Sequence, residues 1–516
     1  MSTNTTDWTN ITADATHVIV DYSDGNSFNT LINAYLATDT IWVAKGTYTI
    51  DLAIALKADQ KMYGGFDGTE ISPSARAKSD LDGNGDVEPW EFTNATEITS
   101  PVSTNALTFG INSIADGLTF KNITITNNAT NANIIAIFSS ATGSVLRNSI
   151  VKDCSVTSTV AVNTVTASNG IVQNCLMQNN SLNNTTGAGT SNGAGLYLTG
   201  ALSRGIGCVI RGNKTLNLTT SKSKGGGVFM QSGAKLINCV VYNNENQGQG
   251  GGVYVNDATT EVINCTVAKN KSGLTGGGIY MNGGGICNNS IAWSNMENSS
   301  STAIPNDVYY GGTSAAKTTF QNDYLAYGLN EKSLTVTALP DLANCKLITS
   351  GEFADNTLDG ITDFAPKFKN PTTTIGAPAD ISSIQQANYK LLTGSPCIDF
   401  ASNALLNTLT ITTDLMTGTR FVNTKSDLGA YEFGSVPTTA VKNIKNSNYK
   451  VFKNGQGLVV TGLSGENTIS VFGLNGVLLQ NISTIESEIS LPITQKGVYV
   501  LKIKTVSTSE TLKAIF

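Results

Sequence analysis

A glycine triplet that returns with its surroundings intact constrains this chain more than any other feature. Gly225-Gly226-Gly227-Val228-Phe229-Met230 is followed by Gly250-Gly251-Gly252-Val253-Tyr254-Val255 and then by Gly276-Gly277-Gly278-Ile279-Tyr280-Met281. Each copy leads into a second apolar run with an Asn-Cys or Cys-Asn pair: Leu236-Ile237-Asn238-Cys239, Val262-Ile263-Asn264-Cys265 and Ile286-Cys287-Asn288. Each then reaches a turn, at Asn243-Asn244, Lys269-Asn270 and Ser294-Asn295. Weaker copies precede them at Leu118–Ile125, Leu146–Val151, Val172–Met177 and Gly193–Leu198. The period of 22 to 33 residues is too short for a propeller blade and carries no 3.6-residue rhythm, so helical solenoids do not fit either.

A coil of three short strands and three turns does fit. Equivalent side chains then stack about 4.8 Å apart from coil to coil. Cysteine, valine and isoleucine form interior columns, asparagine takes the left-handed corners, and glycine triplets occupy a corner that admits no Cβ. The triplet is not a phosphate cradle, because no lysine-serine pair and no helix follows it. The fold class is therefore all-β: a right-handed single-stranded parallel β-helix of the pectate-lyase-like kind, its hand taken from the general crossover preference.

Such a stack needs covered ends. Phe28, Leu31, Ile32, Tyr35 and Leu36 share one helical face and predict an N-terminal capping helix over 27–36, before a first strand at Thr40–Ala44. The period loosens from about 300 to 434. Beyond Gly434, alternating strands separated by Asn454-Gly455, Ser464-Gly465 and Asn475-Gly476 turns predict a C-terminal antiparallel β-sandwich. The expected domains are 1–434 and 435–516.

Composition narrows function by exclusion. A net charge of −6 without basic runs leaves nothing to replace phosphate counterions, so no nucleic-acid partner is expected. His17 is the single histidine, in ordinary strand sequence, which removes serine–histidine hydrolases and histidine-rich metal sites. No apolar run is long enough for a transmembrane helix, and the first residues lack the pattern of a signal peptide. Of the eight cysteines, 154, 175, 208, 239, 265 and 287 read as stacked free thiols, while 345 and 397 stay undecided.

The sharpest chemical signal is the segment 80–91. Asp80, Asp82, Asn84, Asp86, Glu88 and Glu91 stand at positions 1, 3, 5, 7, 9 and 12 of a calcium-loop spacing, with Gly85 at position 6. Short carboxylates wrap one hard cation, Gly85 permits the reversal, and Glu91 closes the sphere. Asp86 offers its backbone carbonyl and Glu88 acts through water. Without strong flanking helices, although Ser72–Lys78 and Trp90–Phe92 have some helical character, the ion is expected to be structural calcium.

Catalytic groups are harder to place. A lyase needs a base and cations beside a uronate; a hydrolase needs two carboxylates. The available basic set is Arg147, Lys152, Arg204, Arg211, Lys222, Lys224 and Lys235, and the acidic one Asp153, Asp257 and Glu261; no pair among them follows from spacing. Tyr197, Phe229, Tyr254 and Tyr280 occupy equivalent positions and predict a ladder of rings, either an external platform for sugars or part of the core; Tyr309-Tyr310 is a further surface candidate.

Three segments, "TDTIWVAKGTY", "MYGGFDGTE" and "LLTGSPCIDF" with "DLGAYEF", resemble the secreted β-helix proteins of the Bacteroidetes described as choice-of-anchor Q proteins, over roughly 25–434. The tail, "GLSGENTISVFGLNGVLLQ" followed by "ITQKGVYVLKIKTVSTSETLKAIF", resembles a type IX secretion sorting domain. This resemblance implies export through the outer membrane by that machinery, a signal peptide removed beforehand, and release or anchoring at the surface. It implies no chemistry. The leading expectation is a secreted or cell-surface β-helix, with structural calcium, that binds extracellular or host-surface glycans or acts as an adhesive scaffold. A lyase or hydrolase of acidic polysaccharide and a purely structural surface protein are the alternatives.

Overall fold

A computed structural model describes residues 17–19, 28–37, 39–99, 105–126, 133–138, 140–159, 163–186, 189–217, 219–298, 304–310, 318–326, 341–348, 364–435, 449–454, 457–473, 477–492, 498–505 and 509–515. The chain divides into two compact units, 1–438 and 439–516.

The larger unit is a single-stranded parallel β-helix. Each regular coil has four strands where the repeat predicts three; one coil runs Val228–Gln231, Lys235–Ile237, Val240–Tyr242 and Glu245–Asn246. Stacked coils generate, among the described residues, sheets of 9, 12, 11 and 8 strands in that order around the coil. In the coils that carry the glycine triplets the fourth strand shrinks to two residues, Glu245–Asn246 and Lys271–Ser272, too few to show alternation, whereas in earlier coils it is four residues long and alternates, as at Ser155–Ser158 and Ser181–Asn184.

The corners follow from backbone chemistry. Between the 12- and 11-stranded sheets, Asn148, Asn174, Asn238, Asn264, Asn289, Asn322 and Asn344 all take positive φ, from 48° to 54°. Asparagine is the side chain that tolerates this region best. The residue after each corner points inward, giving a column of Ser149, Cys175, Cys208, Cys239, Cys265 and Ser290, in which Cys208 N–H donates to Cys239 Sγ at 3.3 Å and Cys265 N–H to Ser290 Oγ at 3.1 Å. Cys287 lies outside this column: it is a strand residue paired with Val262, and Ser290 takes its place. All eight cysteines are free, and burial pushes the Cys175 and Cys239 thiols well above the ordinary range.

The second corner column is asparagine. Asn180, Asn213, Asn244, Asn270 and Asn295 are buried, and each Nδ2 donates to the next Oδ1 at 2.9 Å, until Asn295 donates to Asp307 Oδ1 at 2.6 Å.

Glycine at the triplets is a steric requirement. Gly225, Gly250 and Gly276 have φ near +70°, and a Cβ on Gly251 would stand 2.3 Å from Gly277 O and 2.4 Å from the Lys271 carbonyl carbon. Because both obstacles are main chain, Gly251→Ala is expected to cost about 3 kcal/mol in denaturant unfolding. Gly283→Ala, where φ is positive but the nearest atom is 3.7 Å away, should cost about 1 kcal/mol.

Helix Phe28–Ala34 closes the N-terminal end, with Phe28 and Ile32 fully buried in the coil core and Phe28 stacked on Tyr48 at 4.7 Å. Leu36, expected on the same face, lies past the helix end and is 69% exposed; the side chain of Leu31 lies outside the described residues.

The segment from 364 to 435 returns along the outside of the 11-stranded sheet. Its Tyr389, Leu391, Cys397, Leu428, Ala430 and Tyr431 bury the outward side chains Ile150, Leu176, Val209, Val240, Tyr242 and Ile291, forming a second apolar layer that also includes Trp90. Gly429 N–H donates to Asn289 O at 2.9 Å and Tyr242 Oη–H to Ile384 O at 3.2 Å.

The smaller unit pairs Lys450–Asn454, Gly457–Thr461 and Glu488–Leu491 in one antiparallel sheet and Asn467–Gly473, Leu478–Thr484, Val498–Lys504 and Ser509–Ile515 in another. Leu458, Val460, Ile469, Val471, Leu501 and Ile503 share one apolar core, as a sandwich requires. The turns at Gly455 and at Asn475-Gly476 lie outside the described residues.

Candidate cation site and outer surfaces

The segment 67–95 is an insertion at the asparagine corner of the second coil, between strands Lys61–Phe66 and Thr96–Thr99. An antiparallel bridge between Lys78 and Phe92 pinches its base, and Gly83 and Gly85, with φ of 76° and 86°, reverse the chain inside. The only helical turn in it is the 3-10 turn Pro73–Ala75; Trp90 and Phe92 are buried and open no helix.

Asp80, Asp82 and Glu91 are brought together, with one carboxylate oxygen of each within 4.8 Å of the others. Backbone amides hold them in place. Gly83 N–H and Gly85 N–H donate to the two oxygens of Asp80 at 2.7 and 3.0 Å, and Leu81 N–H and Glu88 N–H to the two of Glu91, both at 2.9 Å. Asn84 lies beside them, its Nδ2 donating to Glu88 Oε1 at 2.8 Å, while the buried Glu88 Oε2 has no protein partner. The Asp86 side chain faces out of the loop, which leaves its carbonyl as the donor it can offer. The donor set is oxygen throughout and fits a hard divalent cation. Burial and the adjacent Glu91 push Glu88 up to about 9; a bound cation reverses that preference.

The loop is tied to distant parts of the chain. Asp82 Oδ2 pairs with Arg211 at 2.9 Å on the 11-stranded sheet, where Arg211 is 3% exposed and also donates to Gln178 and Tyr242. Asp86 accepts from Lys390 Nζ at 2.6 Å and from Asn388 Nδ2 at 2.7 Å. At the loop's entry Arg76 reaches the buried Asp116 at 2.8 Å, which also pairs with Arg147 at 2.6 Å. Asp116, Asn388 and Lys390 carry no spacing signal in the sequence, because their partners are contributed by coils and segments far along the chain.

Most of the remaining sequence candidates have partners, and none forms a catalytic pair among the described residues. Glu261 pairs with Lys235 across neighbouring coils; Asp153 accepts from Asn179 at 2.7 Å; Asp257 accepts from Ser232, Thr259 and Thr260 in a turn. Arg204 donates to the carbonyls of Ala201 and Ser203, and Lys224 lies 5.0 Å over the Tyr254 ring.

The aromatic ladder stands on the outer side of the 9-stranded sheet, since its neighbours Val228, Met230, Val253, Val255, Ile279 and Met281 fill the coil core. It runs Tyr197, Phe229, Tyr254, Tyr280 and Tyr309, with ring centroids 4.9–5.4 Å apart and planes within 10°. Ring faces are thus occupied by other rings, and Phe229, Tyr254 and Tyr280 are buried. A flat exposed sugar platform does not result. Tyr310, the other surface candidate, points into the core.

No protein-family model matches the chain, and no curated protein matches it. Among solved structures, the catalytic unit of the thermostable GH87 alpha-1,3-glucanase from Streptomyces thermodiastaticus strain HF3-3 aligns at TM-score 0.32 and 11% identity, over 58% of this chain and 50% of that one. The catalytic domain of a GH87 alpha-1,3-glucanase variant in complex with tetrasaccharides aligns at 0.27 and 11%, over 66% of each chain. The chain spans half the length of the first.

Proposed function

We propose that this protein is an exported, surface-displayed β-helix that engages extracellular polysaccharide, with calcium held by the 80–91 loop as a structural clamp. The observation that carries the reading is the loop's attachment at two remote points: Asp82 to Arg211 on the coil wall and Asp86 to Lys390 on the C-terminal wrap. A cation gathered by Asp80, Asp82 and Glu91, with Asn84, the Asp86 carbonyl and Glu88 around it, fixes the Asp82 carboxylate and the backbone from which the Asp86 carboxylate projects. A flexible loop with several carboxylates suits calcium better than the stricter octahedron of magnesium. Supporting display outside the cell are the resemblance to choice-of-anchor Q proteins of the Bacteroidetes and that of the C-terminal unit to a type IX sorting domain. The export machinery is the partner this implies, and release or outer-membrane attachment the destination.

A second reading, a hydrolase or lyase of acidic polysaccharide, is favoured on its lyase side by one groove, which holds cations and a single carboxylate among the described residues. Along the 8-stranded sheet, Asn217, Thr220, Gln247 and Asn298 line a groove in which Glu245 lies between Lys214 and Lys271 at 3.7 and 3.8 Å. Incubation in calcium with neutral and uronate-containing polysaccharides separates the readings. Retention without new reducing ends is the expected result. Reducing ends alone indicate a hydrolase, reducing ends with unsaturated-product absorbance a lyase, and neither retention nor turnover a purely structural surface protein.

A further inference from the structure

The asparagine corner between the 12- and 11-stranded sheets presents a strip of outward amides, and the C-terminal wrap reads that strip with backbone groups and the Arg420 side chain. Asn238 Nδ2 donates to Thr413 O at 2.7 Å, and its Oδ1 accepts from Arg420 at 2.9 Å. Asn289 Oδ1 accepts from Ser402 N–H at 2.9 Å, and its Nδ2 donates to Asn264 Oδ1 at 3.2 Å and to Ser402 O at 3.4 Å. The wrap leaves the strip there. Asn322 and Asn344 continue it on the next two coils, at the same backbone conformation, with no side-chain hydrogen-bond partner among the described residues.

These two amides line a pocket of about 730 Å³ together with Phe400, Ser402, Lys346 and Lys425. Their coils are about 4.8 Å apart, so the amides offer paired donors and acceptors to a chain lying along the axis. Phe400 is half-buried and forms an apolar wall. Neither lysine is ion-paired among the described residues, although Lys346 lies 5.3 Å over the Phe364 ring, and no carboxylate is among the described residues that line the pocket. In a protein of net charge −6, two uncompensated ammonium groups beside bare amides select an anionic, hydroxyl-rich ligand.

We infer that this pocket binds a uronate-containing oligosaccharide, its hydroxyls on Asn322 and Asn344, its carboxylates on Lys346 and Lys425, and a sugar face against Phe400. The inference rests on the extracellular-glycan reading and names the site and the ligand class.

The test is calorimetric titration of the full chain with tetragalacturonate, its methyl ester and a neutral glucan oligosaccharide. The Lys346→Met/Lys425→Met double variant is expected to weaken tetragalacturonate binding at least tenfold and to lose most of its salt dependence, without changing the melting temperature. Lys61→Met, at the far end of the solenoid, should bind as wild type. Equal affinity for the ester, or undiminished binding by the double variant, overturns the site. Binding of the neutral glucan alone also overturns it and leaves the glycan reading intact, whereas binding of none of the three removes that reading and this inference with it.

Discussion

Asn244→Ala is expected to remove about 4 kcal/mol from the stability of the solenoid unit, measured by denaturant unfolding of the full chain. The side chain is fully buried and makes five hydrogen bonds of 2.9–3.1 Å: its Oδ1 accepts from the backbone N–H and Nδ2 of Asn213, and its Nδ2 donates to Ile210 O, Tyr242 O and Asn270 Oδ1. Alanine leaves each of those partners without its bond in a site closed to water, and an orphaned buried polar group costs roughly 1–3 kcal/mol. Coil-to-coil backbone bonds remain, so the loss is large without being total. A loss under about 1 kcal/mol would show that the ladder is space-filling and that its hydrogen bonds are not what holds successive corners in register.

Stability should also fall as pH rises, with Asp323 as one strong contributor. It occupies the cysteine–serine column, fully buried, and accepts from Ser290 N–H at 2.7 Å and Gln321 N–H at 3.0 Å. Burial pushes its carboxyl from the ordinary 3.8 to about 8. The folded chain therefore binds a proton that the unfolded chain has released between these two values. That contribution is fully present below about pH 4 and is lost progressively as pH rises through about 8, at roughly 1.4 kcal/mol per unit. Asp307, at the end of the asparagine ladder with one buried oxygen unpartnered, is raised by burial and acts in the same direction, as do Asp414, Asp427 and Glu432. Asp323→Ser restores a residue native to the column and keeps an acceptor for Ser290 N–H. The variant should show a visibly flatter stability profile between pH 5 and 8; an unchanged slope would mean that Asp323 is ionised in the folded protein.

Both ladders were partly legible in the sequence. The recurring Asn-Cys pairs and asparagine turns named the corners, and the interior columns followed from the period alone. In the triplet coils the fourth strand was not legible, since Glu245–Asn246 and Lys271–Ser272 are too short for any alternation; the polar residues of its longer copies, such as Ser181–Asn184, read as turn instead. Cys287 looked like a column member because its neighbours match, but pairing with Val262 puts it one strand earlier. The aromatic ladder was legible as a stack and not as a surface: whether ring faces or edges meet solvent depends on the coil spacing, which lets neighbouring rings occupy one another's faces. In the cation loop, the spacing named Asp80, Asp82, Asn84, Asp86, Glu88 and Glu91 as one ligand set, and the structure gathers the carboxylates of Asp80, Asp82 and Glu91. What spacing does not encode is the anchoring. Arg211, Asn388 and Lys390 reach the loop only because the coil stacks beneath it and the C-terminal wrap returns over the same sheet, with Lys390 separated from Asp86 by 304 residues.

The measurement closest to the central claim is thermal unfolding of the full chain in millimolar calcium and in chelator, for the wild type and for Glu91→Gln. A cation that binds the folded loop alone stabilises by mass action, by about 2.7 kcal/mol at a hundredfold excess over its dissociation constant. The account predicts that the solenoid transition of the wild type melts several degrees higher in calcium, and that Glu91→Gln melts at the same temperature in both. Identical wild-type melting with and without calcium would contradict it, leaving the 80–91 loop as an acidic turn held by its own backbone amides and by Arg211, Asn388 and Lys390.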